Sequence, residues 1–114
     1  MKDDRLYLIH MSECVTRIEE YVRGGREAFM ASTLVQDAVV RNLQTLAESG
    51  QRLSPGFKEK HPEVDWRGIA AFRNILVHDY LGLDVERVWE VTQHDLPELK
   101  SKIAAFLRES QPGP

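Results

Sequence analysis

One stretch of the chain, Trp66 to Asp84, carries side chains able to bind anions and move protons: Arg73, Asn74, His78 and Tyr80. Arg73 offers a fixed cationic fork suited to phosphate. His78 is the side chain that can both take and give a proton near neutral pH. Asn74 can hold the imidazole or a phosphate oxygen, and Tyr80 supplies a hydroxyl and a face for stacking a base. An arginine and a histidine without metal-ligating carboxylates suit phosphodiester transfer to RNA's own 2′-hydroxyl. A base takes the 2′ proton, Arg73 stabilises charge growing on the phosphorus oxygens, and an acid protonates the leaving 5′ oxygen. On an ideal helix, at ~100° per residue, Asn74 and His78 lie one above the other, Arg73 and Tyr80 share another side, and ~140° separates Arg73 from His78. Convergence on one small anion therefore requires the helix end to unwind before Gly82, or a second copy of the chain to complete the site. The competing reading of the same residues is a buried Arg–Asn–His network that fixes the helix end, with Tyr80 packed in the core.

The elements that must position these residues are helical throughout. Leu8, Met11, Val15, Ile18 and Val22 recur at steps of three and four, predicting an amphipathic helix over about 4–23 that Gly24-Gly25 stops. Ala31, Leu34, Val35, Ala38, Val39, Leu43, Leu46 and Ala47 predict a second helix over about 26–49, closed by Gly50. Residues 51–64 hold Ser54-Pro55-Gly56 and His61-Pro62, lack a period, and read as a mobile loop. Asp65 caps a third helix, 66–81, with Trp66, Ile69, Ala70, Leu76 and Val77 inward. Asp84 caps a short helix carrying Val85, Val88 and Trp89. Asp95-Leu96-Pro97-Glu98 reads as a fresh start for a last helix to about residue 109, and 110–114 as a frayed tail. No alternating strand pattern appears. The expected fold is a single all-α domain over 1–114, an antiparallel bundle of four to five helices with two long ones at its centre.

At 114 residues and 42% apolar composition, the chain suits one soluble core. No apolar run approaches the ~20 residues that cross a bilayer, and Met1-Lys2-Asp3-Asp4-Arg5 is unlike a secretory leader, so a cytoplasmic, non-membrane protein is expected. The net charge of −3 speaks against a generic nucleic-acid coat. Within that acidic chain, residues 52–78 hold five Lys/Arg against three Asp/Glu. Lys58, Lys60 and Arg67 belong to this basic window, and Lys58 and Lys60 beside Phe57 can hold RNA phosphate with a stacked base.

The remaining candidates read as structural. His10 and Glu13, at i,i+3, fall short of a metal site and read as helix surface, so no metal is assigned. His61 reads as a solvent-facing turn residue, and His94-Asp95 as a helix junction. Trp66 and Trp89 read as core. Cys14, the single cysteine, sits in an apolar stripe and reads as a buried thiol. No Gly-rich phosphate loop is present, and no cofactor is called for.

Arg73-Asn74-Ile75-Leu76-Val77-His78-Asp79-Tyr80 has the form R-N-x-x-x-H-x-Y. It resembles the signature of the HEPN superfamily, specifically the HepT-like toxins encoded beside minimal nucleotidyltransferase (MNT) antitoxins. Trp66 followed by Ile69, Leu83-Asp84, Val88-Trp89 and Asp95-Leu96-Pro97-Glu98-Leu99 extend the likeness over essentially the whole chain. The resemblance implies a helical homodimer with the motifs of two protomers facing each other. It implies a metal-independent endoribonuclease toxin with Arg73 and His78 as the catalytic pair and Asn74 assisting. It further implies neutralisation by a cognate MNT nucleotidyltransferase that transfers AMP from ATP to Tyr80. The alternative is a non-catalytic protein that binds a nucleotide or presents Tyr80 to such an enzyme.

Overall fold

The computed structural model describes residues 2–79 and 82–110, and these form an all-α bundle. Helix α1 (Lys2–Tyr21) is followed by α2 (Arg26–Ala31), α3 (Thr33–Gln51), α4 (Pro55–Lys60) and α5 (Trp66–His78). Then α6 (Val85–Glu90) runs through a π-helical turn, Val91–Asp95, into α7 (Leu96–Glu109). Contacts across the bundle set its directions. Asp4 meets Ser54 just beyond the end of α3, while the end of α1 leads through α2 into the start of α3, so α1 and α3 are antiparallel. Glu48 meets Arg73 and Gly50 approaches Ile69, which makes α5 antiparallel to α3. Arg5 meets Leu107 and Lys100 meets Glu19, which makes α7 antiparallel to α1.

The core lies where the apolar stripes of these rods meet. Leu8, Met11, Val15 and Ile18 of α1 pack with Val39, Leu43 and Leu46 of α3, Leu76 of α5, and Ile103 and Phe106 of α7. Trp89 closes one end against Phe29, with ring centroids 5.3 Å apart. Cys14 is buried, as expected, and burial pushes its thiol above the ordinary value. No described helix is long and apolar enough to cross a membrane.

The chain departs from the periodicity in four places. The expected helix 26–49 is two helices, because Ser32 is extended (φ −125°, ψ 108°) and its hydroxyl accepts the Val35 N–H at 3.1 Å to cap α3. Gln36 stitches the break by donating to the carbonyls of Phe29 and Met30. Gly25, which opens α2, has φ +93°, a conformation that suits glycine. Gly50 does not end α3. It is buried inside the helix, where a Cβ would lie 3.4 Å from the Met11 Cε, so its role is close approach of α1.

Residues 51–64, expected as a mobile loop without regular structure, hold the short helix α4. The Ser54 hydroxyl caps α4 by accepting the Phe57 N–H at 3.2 Å, and Pro55 fits the first turn. The buried Asp4 carboxylate accepts both the Ser54 N–H and its hydroxyl at 2.7 Å, tying this segment to α1. His61 is not a free turn residue. Its ring packs 4.5 Å from Phe57 and 4.2 Å from Phe106, and its Nδ1 lies 3.2 Å from the Glu63 carboxylate.

No break or cap occurs at Asp95. The Leu96 N–H reaches back to the Val91 carbonyl, and the rod continues into α7. Proline at 97 lacks an N–H and crowds the carbonyl of Gln93, and widening the preceding turn to π spacing accommodates it. Of the expected tail, Ser110 is held by the Arg5 guanidinium at 2.7 Å, and residues 111–114 lie outside the described residues.

Candidate functional site

Helix α5 carries the candidate residues, and its start is fixed locally. The Asp65 carboxylate accepts the Gly68 N–H at 2.9 Å, and the Trp66 indole donates to the His61 carbonyl at 2.9 Å. From there the helix continues without interruption to His78, with Asp79 as its cap. It does not unwind between Arg73 and His78. On this regular backbone the two side chains leave the axis ~140° apart.

Arg73 turns toward α3. Its Nε and Nη2 donate to Glu48 Oε2 at 3.2 and 3.0 Å, and its Nη1 donates to Asn74 Oδ1 at 3.3 Å. Gln44 donates to the same Glu48 oxygen at 3.4 Å. Burial works against the Glu48 carboxylate, but hydrogen bonds from Arg73 and Gln44 and the charges of Arg73 and Arg41 outweigh it. The carboxyl is held below its ordinary value and stays ionised. Arg73 and Glu48 are 28% and 34% exposed, so the pair sits at the boundary between core and solvent and Arg73 keeps an open edge.

His78 points elsewhere. It is exposed and makes no hydrogen bond among the described residues. It shares one outward stripe of α5 with Arg67, Ala71, Asn74 and Ile75, all exposed, at steps of three and four. Ile75 is 49% exposed in the middle of this stripe. Asn74 links the two sides, bonded to Arg73 and one turn before His78. The network that fixes the helix is therefore Gln44–Glu48–Arg73–Asn74, not the Arg–Asn–His set considered as the structural alternative. Tyr80 lies outside the described residues.

The basic candidates are dispersed. Lys58 donates to the Gln51 carbonyl at 3.0 Å, at the end of α3. Lys60 is exposed on α4, and Arg67 lies on the α5 stripe. No group of three His, Cys, Asp or Glu side chains able to hold a metal ion occurs among the described residues. A cavity of about 400 Å³ is lined by Leu43, Leu46, Ile69, Phe72, Val91 and Leu99, and none of Arg73, Asn74 and His78 lines it.

Glu48 was not legible as a site residue. Gln44 and Glu48 stand at i,i+4 beside the apolar face of α3, a spacing shared by any polar helix flank. Only the antiparallel register of α3 and α5 brings that carboxylate to Arg73.

Comparison with known proteins bears on the whole chain. Residues 11–106 match the family described as HepT-like, ribonuclease HepT-like. A protein of Methanocaldococcus jannaschii named "gamma-glutamylcyclotransferase and putative RNase" is 37% identical over 109 residues, 95% of this chain and 49% of that protein. The chain thus spans about half the length of that relative. A "probable ribonuclease HepT" of Thermococcus cleftensis is 37% identical over 97 residues, 84% of this chain and 88% of that protein. A "putative RNase" of Caldanaerobacter subterraneus subsp. tengcongensis is 33% identical over 112 residues, 97% of this chain and all of that protein. No solved structure matches the chain.

Proposed function

The chain belongs to the HepT-like ribonuclease family, and from that premise we propose that it is a metal-independent endoribonuclease toxin acting as a homodimer. The observation that carries this reading is the outward stripe Arg67–Ala71–Asn74–Ile75–His78 on an unbroken α5. It holds His78 exposed and away from Arg73, beside the uncharged side chains of Ala71, Asn74 and Ile75, which can be covered without burying an unpaired charge, while Arg67 stands at the far end of the stripe. Two copies pairing through this stripe would place two histidines and two arginines about one groove.

In that groove one His78 imidazole takes the proton of the RNA 2′-hydroxyl. The 2′ oxygen bonds to phosphorus while Arg73 stabilises the charge on the non-bridging oxygens. The bond from phosphorus to the 5′ oxygen breaks, and the protonated imidazole of the second copy gives its proton to that oxygen. The products are a 2′,3′-cyclic phosphate and a 5′-hydroxyl. Asn74 orients Arg73 and borders the phosphate. Lys58, Lys60 and Arg67 would hold flanking phosphates.

Neutralisation is proposed through a cognate MNT nucleotidyltransferase antitoxin. The Tyr80 hydroxyl attacks the α-phosphorus of ATP, pyrophosphate leaves, and AMP remains on the tyrosine. This adds bulk and negative charge beside an anion-binding groove. The reading of Tyr80 rests on the resemblance of the R-N-x-x-x-H-x-Y motif, residues 73–80, to that of HepT-like toxins.

Incubating purified protein with RNA in EDTA tests the activity. Cleavage to cyclic-phosphate ends, lost in Arg73→Ala and in His78→Ala, is expected. Cleavage that EDTA abolishes, or products equal in wild type and His78→Ala, contradicts the mechanism. A mass gain of adenylyl groups with the nucleotidyltransferase and ATP, absent in Tyr80→Phe, together with an unmodified form that cleaves nothing, favours the binding-partner alternative.

A further inference from the structure

We infer that Glu48 is the positioning residue for Arg73, an assignment whose catalytic meaning rests on the reading above. An arginine at a helix surface samples many rotamers, and a loose fork stabilises a transition state poorly. Arg73 is not loose. Its Nε and Nη2 edge is closed onto one oxygen of Glu48, at 3.2 and 3.0 Å, and its Nη1 onto Asn74 at 3.3 Å. A guanidinium carries five N–H donors, so one on Nη1 and one on Nη2 remain. Those neighbouring nitrogens at the tip are the ones that can take two oxygens of a phosphate.

The support extends behind the carboxylate. Gln44 donates to the same Glu48 oxygen at 3.4 Å. Glu48 and Gln44 sit one turn apart on α3, a helix packed into the core by Leu43, Leu46 and Ala47. The fork of Arg73 is thereby referred to a rigid element other than its own. The carboxylate also stands near the place where a phosphate would bind, and its charge opposes that anion. Removing the charge should therefore leave RNA binding intact or tighter while disordering the fork.

This gives the pair a signature that a merely structural contact would lack. In Glu48→Gln, kcat should fall about ten- to a hundredfold with KM unchanged or lower. Glu48→Asp, which keeps the charge but is one methylene shorter, should also lower kcat. In wild type, nitrogen NMR should show the Arg73 guanidinium with hindered rotation, and in Glu48→Gln rotating freely. Wild-type kcat and KM in a folded Glu48→Gln, or a freely rotating Arg73 in the wild-type protein, would overturn the assignment. The wild-type NMR result stands even if a variant fails to fold. If wild type cleaves no RNA but Arg73 is hindered by Glu48, the nuclease reading fails and the hold on Arg73 is confirmed.

Discussion

Arg73 and His78 stand five positions apart on one unbroken helix and face different surroundings. Arg73 is closed onto Glu48 of the neighbouring α3, while His78 is exposed on the outward stripe. No local unwinding brings them together within a chain. If they act on one phosphodiester, pairing of two chains must complete the site, and each expectation below about activity follows from that.

Ile75→Asp places a charge in the middle of the outward stripe without touching the core. If the chain pairs as proposed, sedimentation should show a dimer for wild type and a monomer for this variant, with RNA cleavage lost and the melting temperature of the monomer fold little changed. A dimer that persists in this variant would place the pairing surface elsewhere.

The Arg73–Glu48 pair also predicts a pH dependence of stability. Glu48 has a folded pKa below its ordinary value. Its contribution is therefore present above the unfolded carboxylate pKa of about 4.3 and is lost as pH falls through the lower folded value. The melting temperatures of wild type and Glu48→Gln should differ most near neutral pH and converge in acid. A difference that grows as pH falls would contradict the ion pair. Because both side chains are partly exposed, the difference should also shrink in high salt.

Asp4→Ala should release residues 51–64. It leaves the Ser54 N–H and hydroxyl without the carboxylate that accepts them. A loss of about 1–3 kcal/mol is expected, with new limited-proteolysis cuts confined to this segment. An unchanged digestion pattern would show that Phe57 packing alone holds α4.

Gly25→Ala should destabilise the turn between α1 and α2. At φ +93° and ψ 178° a Cβ is strained, which costs about 1–3 kcal/mol. Thermal unfolding checks this, and a wild-type melting temperature would mean that the turn relaxes freely.

Much of this architecture was legible in the chain itself, and its failures have physical causes. The 3/4 spacing of Leu8, Met11, Val15 and Ile18 marked the buried face of α1 correctly, and Asp65 and Asp84 do cap the helices that follow them. Apolar period alone could not show that Ser32 splits a continuous stripe, because its hydroxyl competes locally for the backbone while the flanking faces stay in phase. The Ser54-Pro55 pair was read as a turn, although serine before proline is also a helix start; the deciding contact, Asp4, lies fifty positions away. His61 was read as solvent-facing because its aromatic partner Phe106 comes from the far end of the chain. At the site, residue types identified Arg73, Asn74 and His78 as the unusual set. The partner of Arg73 was beyond reach, since Glu48 joins it only through the packing of α3 on α5.

The most direct test is a heterodimer of one wild-type chain and one His78→Ala chain, isolated through two different affinity tags and assayed on RNA in EDTA. If one histidine takes the 2′ proton while the other gives a proton to the leaving 5′ oxygen, the mixed dimer should retain less than about a tenth of wild-type activity. Retention of half the activity would mean that each chain cleaves on its own, and would contradict a site completed by pairing.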